Sequence, residues 1–158
     1  MSASLVLDEA SLLVEAEGTT TIADVEDFLE ARGLTLGFDV NAELAAMNVA
    51  DWIARGSPGA PSTFADPSDH VLAGLTGTLG PRTIDIRPGP RRAVGPDLVA
   101  LFAGTGDRLG RVTKAWLRVH RREATRPQMD LPRIDLDPPI TNSEARLVEA
   151  IRAAIFTA

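Results

Sequence analysis

The sequence predicts an α+β domain built on a mainly antiparallel sheet with flanking helices. Three observations carry this. Short apolar runs come in pairs across tight turns, Ser4 to Leu7 with Ser11 to Val14 and Val71 to Leu79 with Arg82 to Ile86, which is the pattern of β-hairpins. Helical periodicity stands between and after these pairs, not in strict alternation with single strands, so nothing suggests parallel βαβ winding. The 158 residues match the size of one domain, enough to bury a core without disulfides or metals.

Taken in order, the first pair flanks Asp8, Glu9 and Ala10 and opens the domain as a hairpin. A helix from Ile22 to Arg32 follows, with Thr21 as its N-cap, Ile22, Val25, Phe28 and Leu29 on its inner face and Gly33 as its stop. Leu34 to Asp39 turns back towards the sheet, and Asn41 caps a second helix through Ala45, Val49, Trp52 and Ile53 to Arg55, ended by Gly56. From Gly56 to Asp69 the chain is dense in proline, glycine and serine, which demands a shaped loop. Its hydroxyls at Ser57, Ser62 and Thr63 are of the type that binds phosphate or caps its own backbone. The second strand pair meets across Gly80 and Pro81, and Arg87 to Arg92 makes a turn.

The stretch from Val94 to Val119 reads as a short helix, a glycine-rich turn and a strand. Pro96 suits a first helical position, Leu98, Leu101 and Phe102 share one face, and Gly104 ends the helix. Gly104, Gly106 and Gly110 are expected to leave backbone N–H groups uncovered for a phosphate or a flavin. In the strand from Arg111 to Val119, one face carries Val112 and Trp116 and the other Ala115, Leu117 and Val119, so it belongs in the centre of the sheet. Arg121 to Pro139, broken by four prolines, is expected to be an extended tail. Thr141 and Glu144 form a capping box for a last helix whose stripe of Leu147, Val148, Ile151, Ala154 and Ile155 must dock on its own sheet or on a partner.

Composition narrows the chemistry. There is no cysteine and only His70 and His120 offer imidazoles, so no metal site and no catalytic residue is assigned. A net charge of −6 argues against nucleic acid or an anionic membrane, although Arg118 to Arg126 (RVHRREATR) has the charge to face an acidic partner. With no apolar run of membrane length and no secretory leader, a cytoplasmic protein is expected.

The ordered pieces resemble the flavin-binding domain of the FAD-linked oxidases, the vanillyl-alcohol-oxidase or PCMH type, nearest to the alkylglycerone phosphate synthase and glycolate and lactate dehydrogenase branch. SLLVEAEGTTTIADVEDFLEARGLTLG (residues 11–37) resembles that family's strand, glycine and helix; NVADWIA (48–54) with Ser57, Gly59 and Ser62 resembles its glycine-pair segment and small-residue loop. Phe64-Ala65 and Asp69-His70-Val71 stand for its Tyr-Gly pair and acidic strand entry, and GPDLVALFAGTGDRLGRVT (95–113) is similar to its last helix and turn. The resemblance implies FAD as cofactor, with Ser57, Gly59, Ser62, Gly104, Gly106, Leu109 and Gly110 along it.

It also implies that the chain is truncated at both ends. Residues 1–120 match the second subdomain of the flavin domain only, followed by a tail at 121–140 and a docking helix at 141–158. The family's glycine pair is replaced by Ala50-Asp51, its Tyr-Gly by Phe64-Ala65 and its acidic-glycine pair by Gly106-Asp107. Two readings follow. One is a flavin-binding subunit or fragment of an FAD-dependent oxidoreductase, completed by a partner chain that supplies the missing subdomain. The other is a degenerate, cofactor-free member of the fold, an interaction or small-ligand-binding module or a homo-oligomer.

Overall fold

The computed structural model describes residues 4–59, 71–88, 98–122 and 142–156. In chain order the elements are β1 (Leu5–Asp8), β2 (Leu13–Glu17), α1 (Ile22–Glu30), β3 (Leu34–Thr35), α2 (Ala42–Ala46), α3 (Val49–Ala54), β4 (Leu72–Leu79), β5 (Arg82–Ile86), one turn of 3-10 helix (Leu98–Leu101), β6 (Arg111–Arg118), β7 (His120–Arg121) and α4 (Asn142–Phe156). Strands β1, β2, β6, β4 and β5 lie side by side in that order, and every pairing is antiparallel. The expected α+β class is the observed one. Both hairpins form where the paired apolar runs stand, and β6 is central, between β2 and β4.

The core lies between one face of this sheet and the helices α1 and α3. Val14 and Ala16 of β2, Leu72 and Leu75 of β4 and Ala115 and Leu117 of β6 are buried against Ile22, Val25 and Leu29 of α1 and Trp52 and Ile53 of α3. The solvent side of β2 and β6 carries a cross-strand ion pair, Lys114 Nζ to Glu15 Oε1 at 2.7 Å.

Helix α1 starts as expected, its N-cap Thr21 Oγ1 accepting from Asp24 N at 3.1 Å, and it ends before Gly33, whose φ is +70°. Glu26 fastens the next segment by accepting from Leu36 N at 3.0 Å and from the Thr35 hydroxyl.

Four expectations need correction. The helix begun at Asn41 breaks in two, because Met47 turns extended and Asn48 starts a new N-terminus: its Oδ1 accepts from Asp51 N at 2.8 Å and its Nδ2 donates to Asp51 Oδ2 at 2.7 Å. An Asn with an acidic residue three positions on is a capping signal strong enough to interrupt an apolar helical stripe. The strand faces assigned around Val112 also change. Gly77 pairs with Val112 but Thr76 with Lys114, so Thr113 is an extra residue on β6. Such a bulge reverses the alternation, and both Val112 and Ala115 face the core while Trp116 is only half-buried.

The turn expected over Leu34 to Asp39 begins with β3, and Arg121 ends a strand instead of opening a tail. These two-residue strands pair with each other, Leu34 with Arg121 and Thr35 with His120. Contacts of that kind, 87 and 85 positions apart in the chain, leave no local period. Residues 123–141, including the proline-rich stretch and Thr141, lie outside the described residues.

The last helix seats Val148 and Ile151 half-buried on the domain's own core, while Leu147 stays 60% exposed. Arg152 Nε donates to Arg108 O, which ties α4 to the glycine-rich turn. The side chains of Glu144, Ala154 and Ile155 lie outside the described set.

Candidate functional site

The two loops singled out from the sequence do come together, at the C-terminal end of α3. A helix ends with carbonyls that lack partners within it, and here the loops supply them. Asp51 O accepts from Arg55 N at 3.0 Å, Trp52 O from Ser57 N at 2.9 Å, Ile53 O from both Gly56 N (2.9 Å) and Gly104 N (3.0 Å), and Ala54 O from Gly106 N at 2.8 Å. Gly104 and Gly106 reach these carbonyls with φ of +71° and +60°, a region that costs a side chain but not glycine. Gly56 and Gly104 face each other, and a Cβ on Gly56 would be 3.7 Å from Gly104 Cα, an ordinary contact, so only a methyl's width separates the two backbones.

This corrects one expectation: the Gly104 and Gly106 N–H groups are engaged by α3 and do not face an outside ligand. Leu109 is buried in the core, and a Cβ on Gly110 would stand 2.7 Å from both the Phe102 ring and Thr78 O, so these two positions look inward. Gly59 packs against Leu44 and Phe38. Ser57 is fully buried with φ +53°, and its hydroxyl has no hydrogen-bond partner among the described residues. Ser62, Phe64, Ala65 and His70 lie outside the described residues. His120 sits on β7 with its ring against Gly37.

The N-terminal end of α3, where the sequence carries Ala50-Asp51, is closed in the same way. Val49 N donates to Thr20 O and Ala50 N to Gly18 O, both at 2.9 Å, and Asp51 N donates to Asn48 Oδ1. The two carboxylates flagged in the sequence are neighbours in space. Arg111 holds both, Nη1 to Asp107 Oδ2 at 3.1 Å and Nη2 to Asp51 Oδ1 at 3.7 Å. Arg111 stands four residues after Asp107, a spacing that is the one local signal of this pair in the sequence.

Burial holds the Asp107 carboxyl above its ordinary range, with Asp51 adding to the rise and Arg111 opposing it. A carboxyl raised in the folded state keeps its proton better there than in the unfolded chain. Its contribution therefore favours the fold at low pH and is lost as pH rises through the folded value. Asp107→Asn is expected to raise the melting temperature at pH 7, and the gain should shrink towards zero below the ordinary value of 3.8. Asparagine also accepts the φ of +60° at this position. Calorimetry of both proteins at pH 7 and pH 3.5 measures it; an equal or larger gain at the acid end would contradict the assignment.

Among the described residues no group of three His, Asp or Glu could hold a metal ion, and no helix is long and apolar enough to cross a membrane. The arrangement defines an α+β scaffold whose glycine-rich turn locks a short helix in place. Among solved structures the chain is similar to alkyldihydroxyacetonephosphate synthase in two crystal forms, at TM-scores of 0.62 and 0.61 and 18% identity over 75% of this chain. It is also similar to a Phl p 4 variant, a glucose dehydrogenase, at a TM-score of 0.57 and 12% identity over the same share. The match covers 21% of the synthase and 24% of the glucose dehydrogenase, so the likeness is one of fold for a part of each enzyme. No family model and no curated sequence matches the chain.

Proposed function

We propose that this chain is a member of the flavin-oxidase fold that works without the flavin, as an interaction or small-ligand-binding module. The observation that carries this reading is the state of the backbone donors. Ala50, Asp51, Gly104 and Gly106 stand where the resemblance expects a cofactor, and each N–H is hydrogen-bonded inside the protein. A diphosphate at that surface would also meet two carboxylates, Asp51 and Asp107, served by the single guanidinium of Arg111. Like charges brought together without enough counter-charge repel. These residues do not fit a dinucleotide.

The competing reading, a flavin-binding subunit of an FAD-dependent oxidoreductase completed by another chain, has one specific observation in its favour. Ser57 keeps a fully buried hydroxyl with no partner among the described residues, and an orphaned buried donor is a costly thing to keep. Titration of the chain with FAD tests the cofactor-free reading directly. A ligand at about 100 times its Kd adds ~2.7 kcal/mol, which for a domain of this size raises Tm by roughly 5–10 °C. The expected outcome is an unchanged Tm and unquenched flavin fluorescence. A saturable quench with a matching Tm rise would overturn the cofactor-free reading.

A further inference from the structure

We propose that β1 is a pairing surface for a second copy of the chain: two β1 strands meet antiparallel across a two-fold axis and join two five-stranded sheets into one. This deepens the interaction-module reading by naming its partner. No residue of the glycine-rich turn takes part, so FAD binding and β1 pairing are read by separate experiments.

The sheet ends in β1 on one side and β5 on the other. In an antiparallel ladder every second residue turns its N–H and C=O away from the neighbouring strand. Those of β1 meet no further backbone partner among the described residues, and the group that satisfies such a row is another strand. The two edges differ in how they are guarded. β5 carries Arg82 and Asp85; Asp85 accepts from the Thr76 hydroxyl at 3.0 Å and from Arg87 Nε at 3.4 Å, and Pro88, just beyond, offers no N–H. Charges and proline on an edge keep other strands away. β1 has no such guard along Leu5, Val6 and Leu7. Its one charge, Asp8, is turned into the hairpin, where Oδ1 accepts from Ala10 N at 3.0 Å and Ser11 N at 3.1 Å. Val6 is 55% exposed, the one large apolar side chain so exposed on a strand among the described residues.

Pattern and symmetry choose the occupant. Leu5 and Leu7 pack on the core side of the sheet, opposite Ala16 and Val14 of β2, and Val6 points to the other face beside Glu15. Directly opposed residues of an antiparallel pair share a face, so two copies of β1 match leucine with leucine on one side and Val6 with Val6 on the other. With the axis at Val6, Leu5 stands opposite Leu7 of the second copy and Asp8 opposite Ser4. A shift of one residue about that axis puts core-side leucines against the outer face, and a shift of two brings Asp8 into the joint against Val6. The strand is thus complementary to itself in one register, and the half-buried leucines of each copy cover those of the other.

The chain has no cysteine, so a single introduced thiol reports the contact. Val6→Cys, oxidised by dissolved oxygen, should give a covalent dimer, because opposed Cα atoms stand about 4.5–5.5 Å apart, inside the span a disulfide bridges. Thr83→Cys on β5 should stay uncoupled. A ladder this short makes a weak dimer, so sedimentation velocity of the full chain from ~10 μM to ~1 mM is expected to show a monomer–dimer equilibrium. Val6→Lys sets two ammonium groups against each other and should weaken it about tenfold or more, with circular dichroism showing the fold intact, while Thr83→Lys leaves it unchanged. A chain that is monomeric over the whole range, a dimer unaffected by Val6→Lys, or a Val6→Cys variant that does not couple would overturn the pairing.

Discussion

Trp52→Ala is expected to lower the free energy of unfolding by about 3–5 kcal/mol. Trp52 is fully buried, stacks on Phe38 with ring centres 5.6 Å apart and planes 12° from parallel, and donates from Nε1 to Pro58 O at 2.9 Å. Truncation removes the ring and opens a cavity next to Phe38. It also leaves the Pro58 carbonyl buried without its donor, a cost of ~1–3 kcal/mol by itself. Domains of this kind are stable by only about 5–15 kcal/mol, so the loss is a large share. Trp52→Phe separates the two parts, since it keeps most of the volume and loses only the hydrogen bond. Urea unfolding of the three proteins measures both steps, and a loss under ~1 kcal/mol for Trp52→Ala would show that the loop after α3 does not rest on this ring.

The second large effect is expected at Gly18, where α3 meets the sheet. Gly18 N donates to Thr113 O at 2.7 Å and Gly18 O accepts from Ala50 N. A Cβ there would stand 2.7 Å from Val112 O and 3.2 Å from both Thr113 O and Ala50 Cβ. Two of those three atoms are backbone of β6 and cannot rotate away, so the helix must move off the strand. Gly18→Ala should cost about 1–3 kcal/mol or more, as overpacking in a tight site does. The double variant Gly18→Ala with Ala50→Gly sharpens the cause. It removes the side-chain neighbour and leaves the carbonyls, so it should recover little of the loss; full recovery would place the conflict at Ala50 and not at β6.

Legibility in the sequence followed the range of the interactions. Thr21 and Asp24 mark the start of α1 by a contact three residues long, and that start is where it was expected, while the helix stops at Glu30, two residues short of Arg32. The β4 and β5 hairpin turns at Gly80 and Pro81 for the same reason. Asn48 was equally local, but its capping role was hidden by an apolar stripe that runs on through Val49 and Trp52. The bulge at Thr113 and the pairing of β3 with β7 depend on partners far along the chain, Thr76 for the first and a segment more than 80 residues away for the second.

By itself the sequence determined the α+β class, the order of the hairpins and the capped start of α1, because period, caps and turn residues act within a few positions. Only the tertiary structure decided what the glycine-rich turn does. Its N–H groups look exposed in one dimension, yet α3 ends beside them with unpaired carbonyls, and buried or half-buried backbone groups pair wherever a partner is in reach. The same packing sets Asp51 and Asp107 on one arginine and gathers Arg32 with Arg121 and Arg122 into a cleft. Charge distribution over a folded surface is a property of which segments meet, and no spacing along the chain encodes it directly.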